Sequence, residues 1–299
     1  MNREITRGTL EMSLAMLISG TIGWFVLVSE QPVFNVVFWR CLFGALALLL
    51  ICAALGLLKS RVISRKAIAI AMLGGVAIVL NWICLFAAYS LTSISIATIV
   101  YNTQPFMLVM LGAMVLGERI TMTKLAWLGV SFFGMLFVVL APSGMATDHA
   151  GFLFGIALSL GAAFLYAIAS MVTKHLKGTP PHLIALIQVT TGMIMLAPLA
   201  DFSALPETNG QWLSLVTLGI AHTGFMYCLL YSAIQKLPTY IIGSLSFIYP
   251  VVAVVVDMLA FGHVLQPIQF LGGALILFAA AGATLGWQLP KLRQKPETS

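Results

Sequence analysis

Of 299 residues, 61% are apolar and only 8% are charged, and the mean hydropathy is +1.04. A soluble domain carries about 25% charged residues, so too few charges remain to coat a water-exposed surface and lipid must be the solvent for most of the chain. The net charge of +6 does not point to nucleic acid, because the Lys and Arg lie between apolar segments rather than on one solvated face.

A bilayer core requires about 20 apolar residues per helix. Arg3 and Arg7 precede an apolar run from Met12 to Val28 in the manner of a signal peptide, but no small-x-small cleavage pattern follows, so the run reads as a first span. In chain order the spans cover residues 10–29, 33–57, 67–90, 94–116, 125–141, 150–173, 182–200, 211–235, 240–261 and 268–288. The fold class is therefore an all-α membrane protein of ten transmembrane helices. The longest connections, 142–150 and 201–210, carry the Pro, Gly, Ser, Asp and Asn expected of turns. Cys41, Cys52, Cys84 and Cys228 all fall in apolar stretches without metal-ligand spacing, and read as small buried hydrophobes.

Charge placement tests the helix count. With the N-terminus cytoplasmic, every Lys and Arg except Arg40 falls on the inside, whereas Glu30, Asp148, Asp201 and Glu207 fall on the outside. Basic residues resist translocation and stay on the cytoplasmic side. One helix more or fewer would invert every later loop and scramble the split. Both termini are expected to be cytoplasmic, in a bacterial inner membrane.

The two halves of the chain repeat. Pro105 is followed twelve residues later by Gly117-Glu118, and Pro250 twelve residues later by Gly262-His263. Tyr89-Ser90 in the third span has a counterpart in Tyr231-Ser232 in the eighth. Residues 1–146 and 147–299 thus form two five-helix repeats, and an odd number of spans forces the second to cross the membrane in the opposite sense. Inverted repeats recur in secondary transporters, with the solute site near the midplane between them.

Candidate functional residues are polar or helix-breaking groups at membrane depth. Pro105 and Pro250 are expected to kink spans 4 and 9 near their middles, freeing the carbonyls of Tyr101 and Ser246. Thr98, Asn102 and Pro105 share one helical face, and Gln104 adds a second amide. Asn81-Trp82 in span 3, His222 in span 8, and Tyr101 and Tyr249 complete a set that reads as the lining of a solute site. For any single member, an interhelical hydrogen bond is the competing reading. Arg40 and Asp257 are charges placed roughly 9–12 Å below the periplasmic surface at 1.5 Å per residue, where charges face the bundle interior and pair with each other or with a substrate. Gly151-x-x-x-Gly155 and Gly282-x-x-x-Gly286 permit close helix packing. No zinc motif, phosphate loop or nucleophile elbow is present, so neither an enzyme nor a bound metal or cofactor is expected.

Three stretches resemble the drug/metabolite transporter superfamily, specifically its EamA-like family. They are Pro32–Leu46 with Phe38-Trp39-Arg40, Asn81–Gly134 with Thr103-Gln104-Pro105 and Gly117-Glu118-Arg119, and a weaker echo over Tyr231–Gly273. The second half departs from the pattern: His263 stands in place of the glutamate and no arginine follows. Glu118 reads as structural, near a helix end. The resemblance implies a transporter of small organic solutes, with export of amino acids or related metabolites by alternating access as the leading expectation. The partners are then that solute and the lipid bilayer, with no nucleic acid, and no feature specifies an oligomeric state. Efflux of drugs or cations would call for an embedded carboxylate, for which Asp257 is the candidate; a channel or a membrane enzyme are alternatives of a different class.

Overall fold

The computed structural model describes residues 3–59, 63–92, 97, 100–139, 149–261 and 267–287. They form ten helical spans. The first, α1, comprises Arg3–Ser19 and, after a break at Gly20-Thr21, Ile22–Ser29. It is followed by α2 (Val33–Ala54), α3 (Arg65–Leu91), α4 (Gln104–Leu116) and α5 (Met122–Val139). The second half contributes α6 (His149–His175) and α7 (Pro181–Leu196). In α8 the helices Asn209–Gly219 and Met226–Lys236 are joined by a π-helical segment, Ile220–Phe225. Thr239–Ser246 and Ile248–Phe261 form α9, broken at Phe247, and α10 is Pro267–Leu285.

Most span limits fall within two or three residues of those expected. Three differ: the expected span 94–116 is broken at Asn102-Thr103, so that α4 proper starts at Gln104, and the other two differ for local reasons. Helix α1 begins at Arg3 rather than residue 10, because Arg7 and Glu11 pair at i,i+4 (2.9 Å) and carry the helix through its polar start. Helix α7 ends at Leu196 rather than residue 200, because Pro198 cannot continue it. Capping fixes other ends: the Ser64 hydroxyl accepts from the Ala67 N–H, and Thr208 and Gln211 form a reciprocal capping box. Gly117 closes α4 in the left-handed region (φ 66°), and the turn lets the Glu118 N–H reach the Gly112 carbonyl at 3.2 Å.

The outside of the bundle is apolar, unlike that of a soluble protein, and a few polar groups lie within its largely apolar interior. Leu50, Leu73, Met114 and Leu259 are 67–75% exposed on its outside, whereas Arg40, Asn81, Asn102, Gln104, Gln188 and His222 are buried. Polar groups avoid hydrocarbon by facing one another. Five helices are each long and apolar enough to cross a membrane, and the other five apolar helices are shorter.

Helix contacts follow the repeat rather than the chain. Adding five to each helix number carries the α3–α6 contact onto α8–α1, α4–α6 onto α9–α1, and α3–α7 onto α8–α2; α2–α7, α4–α9 and α5–α10 map onto themselves. The two five-helix copies are thus related by a two-fold in the membrane plane, as an inverted repeat requires. They also exchange an element: α1 packs against α8 and α9 of the second copy, and α6 against α3 and α4 of the first. Small residues permit the closest crossings. A β-carbon at Gly219 of α8 would overlap Phe43 on α2, and at the related crossing one at Gly75 of α3 would lie 2.8 Å from the Gln188 carbonyl on α7.

Candidate functional site

Arg40 lies inside the bundle and is 2% exposed. Its Nε donates to Thr223 Oγ1 at 2.7 Å and its Nη2 faces the His222 carbonyl at 3.4 Å. The guanidinium sits over the Trp82 ring, 4.2 Å from its centroid, with the Tyr227 ring at 6.0 Å. The π segment of α8 makes this possible. One extra residue per turn displaces a helix face, and here Thr223 spends its own hydrogen on the Leu218 carbonyl (2.8 Å), leaving its lone pairs to Arg40. Among the described residues no carboxylate pairs with Arg40. A buried cation without a counter-charge is costly, and a cation–π contact offsets only about 2 kcal/mol of that.

The polar set extends from this centre. Asn81 Nδ2 donates to the Ala162 carbonyl of α6 at 2.7 Å and faces the Tyr101 hydroxyl at 3.4 Å. Asn81 Oδ1 and Gln104 Oε1 are buried without a hydrogen-bond partner among the described residues. Tyr101 packs edge-on against Tyr166, and Trp82 against Tyr227. Asn102 Nδ2 donates to the Tyr249 hydroxyl at 3.0 Å, tying the start of α4 to α9. His222 lies between Thr21 of α1 and the Thr217 carbonyl. Of the residues singled out in the sequence, Arg40, Trp82 and His222 meet at one point, Asn81 and Tyr101 adjoin it, and Asn102 and Tyr249 form a separate pair. The Asp257 side chain lies outside the described residues, as do Thr98 and His263.

The sequence leads us to expect that Pro105 and Pro250 kink continuous helices near their middles; the structure differs. Each sits in the first turn of a helix that restarts after a break, at Asn102-Thr103 in α4 and at Phe247 in α9. The first turn is where a missing N–H costs nothing.

Several residues of this centre carry no obvious mark in the sequence. Gln188 of α7 is one: it accepts a hydrogen bond from the Tyr231 hydroxyl. It stands eight residues after Pro180, as Arg40 stands eight after Pro32. The two-fold therefore places an amide where its mate has a guanidinium, and the repeat spacing is the signal that finds it. Thr21 and Thr223 are others. Glu11 is buried within α1 and receives Lys236 of α8 at 2.6 Å.

Polar clusters lie toward both ends of the bundle. At the end bearing the Gly-Glu turn, Glu118 Oε2 accepts from the Thr239 N–H (3.0 Å) and hydroxyl (2.7 Å), and Oε1 meets Lys174 Nζ at 2.9 Å. Burial pushes the Glu118 carboxyl up, but its bonds from Thr239 and Lys174 outweigh this and hold it below the usual glutamate value. Lys174 also reaches the Leu237 carbonyl at 2.5 Å. At the opposite end Asn35 bonds to the Asp201 N–H and carbonyl, and Gln211 donates to Glu30 at 2.8 Å. The exposed Asp201 carboxyl is held below its usual value by the Ser203 hydroxyl.

A multi-pass helical protein with inverted repeats, interrupted helices and a buried polar centre has the architecture of a secondary transporter. The chain belongs to the EamA-like transporter family, whose model matches residues 6–140 and 153–285. An uncharacterized transporter of Bacillus subtilis, YxxF, is 29% identical over 95% of this chain and 91% of its own length. The Escherichia coli threonine/homoserine exporter RhtA is 29% identical over 53% of this chain and 54% of its own. A probable amino-acid metabolite efflux pump of E. coli is 28% identical over 61% and 64%. A crystal structure 21% identical in sequence superposes with a TM-score of 0.81 over 93% of this chain and 96% of that one, which establishes the fold. The family and these named relatives are transporters, not enzymes.

Proposed function

We propose that the protein exports amino acids or closely related carboxylate metabolites across the bacterial inner membrane by alternating access, with both termini cytoplasmic. The observation that carries this reading is Arg40: a buried guanidinium in an aromatic cage, with donors to spare and no carboxylate partner among the described residues. A guanidinium in that setting is a receptor for a planar anion. Asn81 Oδ1, buried and unpartnered, offers an acceptor to an ammonium group. The asymmetry of Arg40 against Gln188 gives the site one positive pole, which suits a solute carrying a carboxylate at one end. A cationic drug would meet Arg40 as a like charge, so the cation-efflux reading is disfavoured. The names of RhtA and the efflux pump agree with the amino-acid reading.

The repeats 1–146 and 147–299 supply the two halves, but the exchanged helices define what moves: α3, α4 and α6 against α8, α9 and α1. The test is export of L-homoserine from cells expressing wild type, Arg40→Lys or Arg40→Gln, at matched membrane levels. Wild type raises the extracellular amount, and Arg40→Gln lowers export at least tenfold. Undiminished export by Arg40→Gln would refute the anchor, and no export by wild type would refute the solute class.

A further inference from the structure

One hydrogen-bond arrangement beside Arg40 is left over by solute binding. Thr21 occupies the break in α1, and its Oγ1 lies 2.8 Å from the Ile18 carbonyl and 2.7 Å from His222 Nε2. A hydroxyl has one hydrogen to give, and a carbonyl only accepts. His222 Nδ1 faces another carbonyl, Thr217 O, at 3.2 Å, so Nδ1 carries a hydrogen. Two arrangements then satisfy the ring. In the neutral form Thr21 donates to Nε2. With a proton added, Nε2 donates to Thr21 Oγ1, and the hydroxyl turns to the Ile18 carbonyl. The second arrangement makes one hydrogen bond more than the first and requires only rotation of a hydroxyl.

We propose that His222 is the proton-binding site of the transport cycle and takes up its proton when a carboxylate occupies Arg40. The proposal rests on the solute reading given above. Arg40 Nη2 faces the His222 carbonyl and its Nε meets the hydroxyl of the next residue, Thr223, so the guanidinium lies beside the residue that bears the imidazole, and both side chains are buried. Two cations there repel, and low polarity strengthens the repulsion. A carboxylate on Arg40 cancels one charge and makes room for the second. Proton and solute therefore bind together instead of competing.

Among the described residues, the other groups around the ring leave this balance to Arg40. The π segment packs against α1 and α2 besides its own helix. Helix α2 brings Arg40 and the neighbouring Cys41. Helix α1 brings Thr21 and the Phe25 ring, whose centroid is 5.0 Å from that of the imidazole. The acids of α1 lie or are engaged elsewhere: Glu4 in its first turn, far along the helix from Thr21, Glu11 with Arg7 and Lys236, and Glu30, which follows its last turn, with Gln211. On α8 itself the nearest titratable side chains are Tyr227 and Cys228. The proton enters from water on the side where the solute binds and leaves with it on the other. Each carboxylate exported thus carries one proton, so export proceeds only where the solute's own outward gradient exceeds the opposing membrane potential on that proton.

The test is a pH titration of the purified full-length protein by 15N-histidine NMR, with the His222 signal assigned by its loss in His222→Gln. Addition of L-homoserine to wild type should move the His222 midpoint up by at least one pH unit, a tenfold rise in proton affinity. Arg40→Gln should move it up without any solute. Thr21→Val should move it down, because the imidazolium loses its acceptor. In liposomes loaded with L-homoserine and a pH dye, wild-type efflux should alkalinise the lumen. An unmoved midpoint in both Arg40→Gln and Thr21→Val, or L-homoserine efflux that moves no protons, would overturn the proposal. If L-homoserine neither binds nor moves, the solute reading falls instead, and the two variant titrations still decide the proton site.

Discussion

Glu118 is the residue whose removal has the most calculable effect. Its carboxylate caps the N-terminus of α9 through the Thr239 N–H and hydroxyl, and meets Lys174 of α6 at 2.9 Å. A hydrogen bond to a charged group contributes about 1.5–3 kcal/mol when buried. The two side chains retain 23% and 13% of their exposure, so the ion pair belongs near the screened end of its range, at about 1 kcal/mol or less. Glu118→Ala, which also strands the α9 donors, should cost about 3 kcal/mol by the same bond values. Glu118→Gln keeps a neutral acceptor and should cost about 1–1.5 kcal/mol. At about 2–4 °C per kcal/mol for a chain of this order, the alanine variant should melt about 6–12 °C lower in detergent at a fixed scan rate. The contribution also has a pH signature. The folded pKa lies below the usual 4.5, so the stabilisation is complete above that value and is lost as pH falls through the folded one. The gap between wild type and Glu118→Gln should therefore close on acidification below about pH 4.5. An alanine variant that melts within about 1 °C of wild type, or a gap that stays open in acid, would refute the capping role.

Other substitutions probe the crossings. Tyr249→Phe removes the acceptor of Asn102 Nδ2 and should lower stability by about 0.5–1.5 kcal/mol, read as a fall of a few degrees in melting temperature at normal membrane levels. Gly219→Leu puts a side chain into Phe43 of α2 and should abolish accumulation of folded protein, whereas Gly23→Ala, with nothing within 4 Å of the new methyl, should be silent. Comparison of the two by fluorescence-detected size exclusion separates a packing requirement from a general intolerance of glycine replacement.

Much of this fold was legible in the sequence because bilayer thickness fixes span length and translocation fixes charge placement, and both act on composition. The Pro-to-Gly spacing revealed the repeat for a similar reason: Gly117 needs a left-handed backbone that few residues adopt. What stayed hidden depends on faces rather than lengths. Nothing in the hydropathy of α1 says that it packs with α8 and α9, because lipid is as apolar as leucine and does not rank one helix face above another. The π segment at Ile220–Phe225 has no residue signature, yet it aims Thr223 at Arg40. Of the candidate site, Arg40, Trp82 and His222 were visible as polar or aromatic residues at depth. Thr21 and Thr223 were not, since a threonine in an apolar run most often bonds its own helix backbone, as Thr173 does to the Ala169 carbonyl. Gln188 was within reach through its register with Arg40.

The exchange of α1 and α6 between the copies bears on how such a chain is made. As it leaves the ribosome, α3 and α4 enter the bilayer with the face meant for α6 still uncovered, and α1 waits until α8 and α9 have been synthesised. For that interval the Asn81 amide has no Ala162 carbonyl to bond, and Glu11 has no Lys236. The nascent first copy must shelter these groups against its own backbone, water or the insertion machinery. A chain stopped after α5 would lack α6, α8 and α9, the helices on which α1, α3 and α4 close, so the fold is completed only when the second copy arrives.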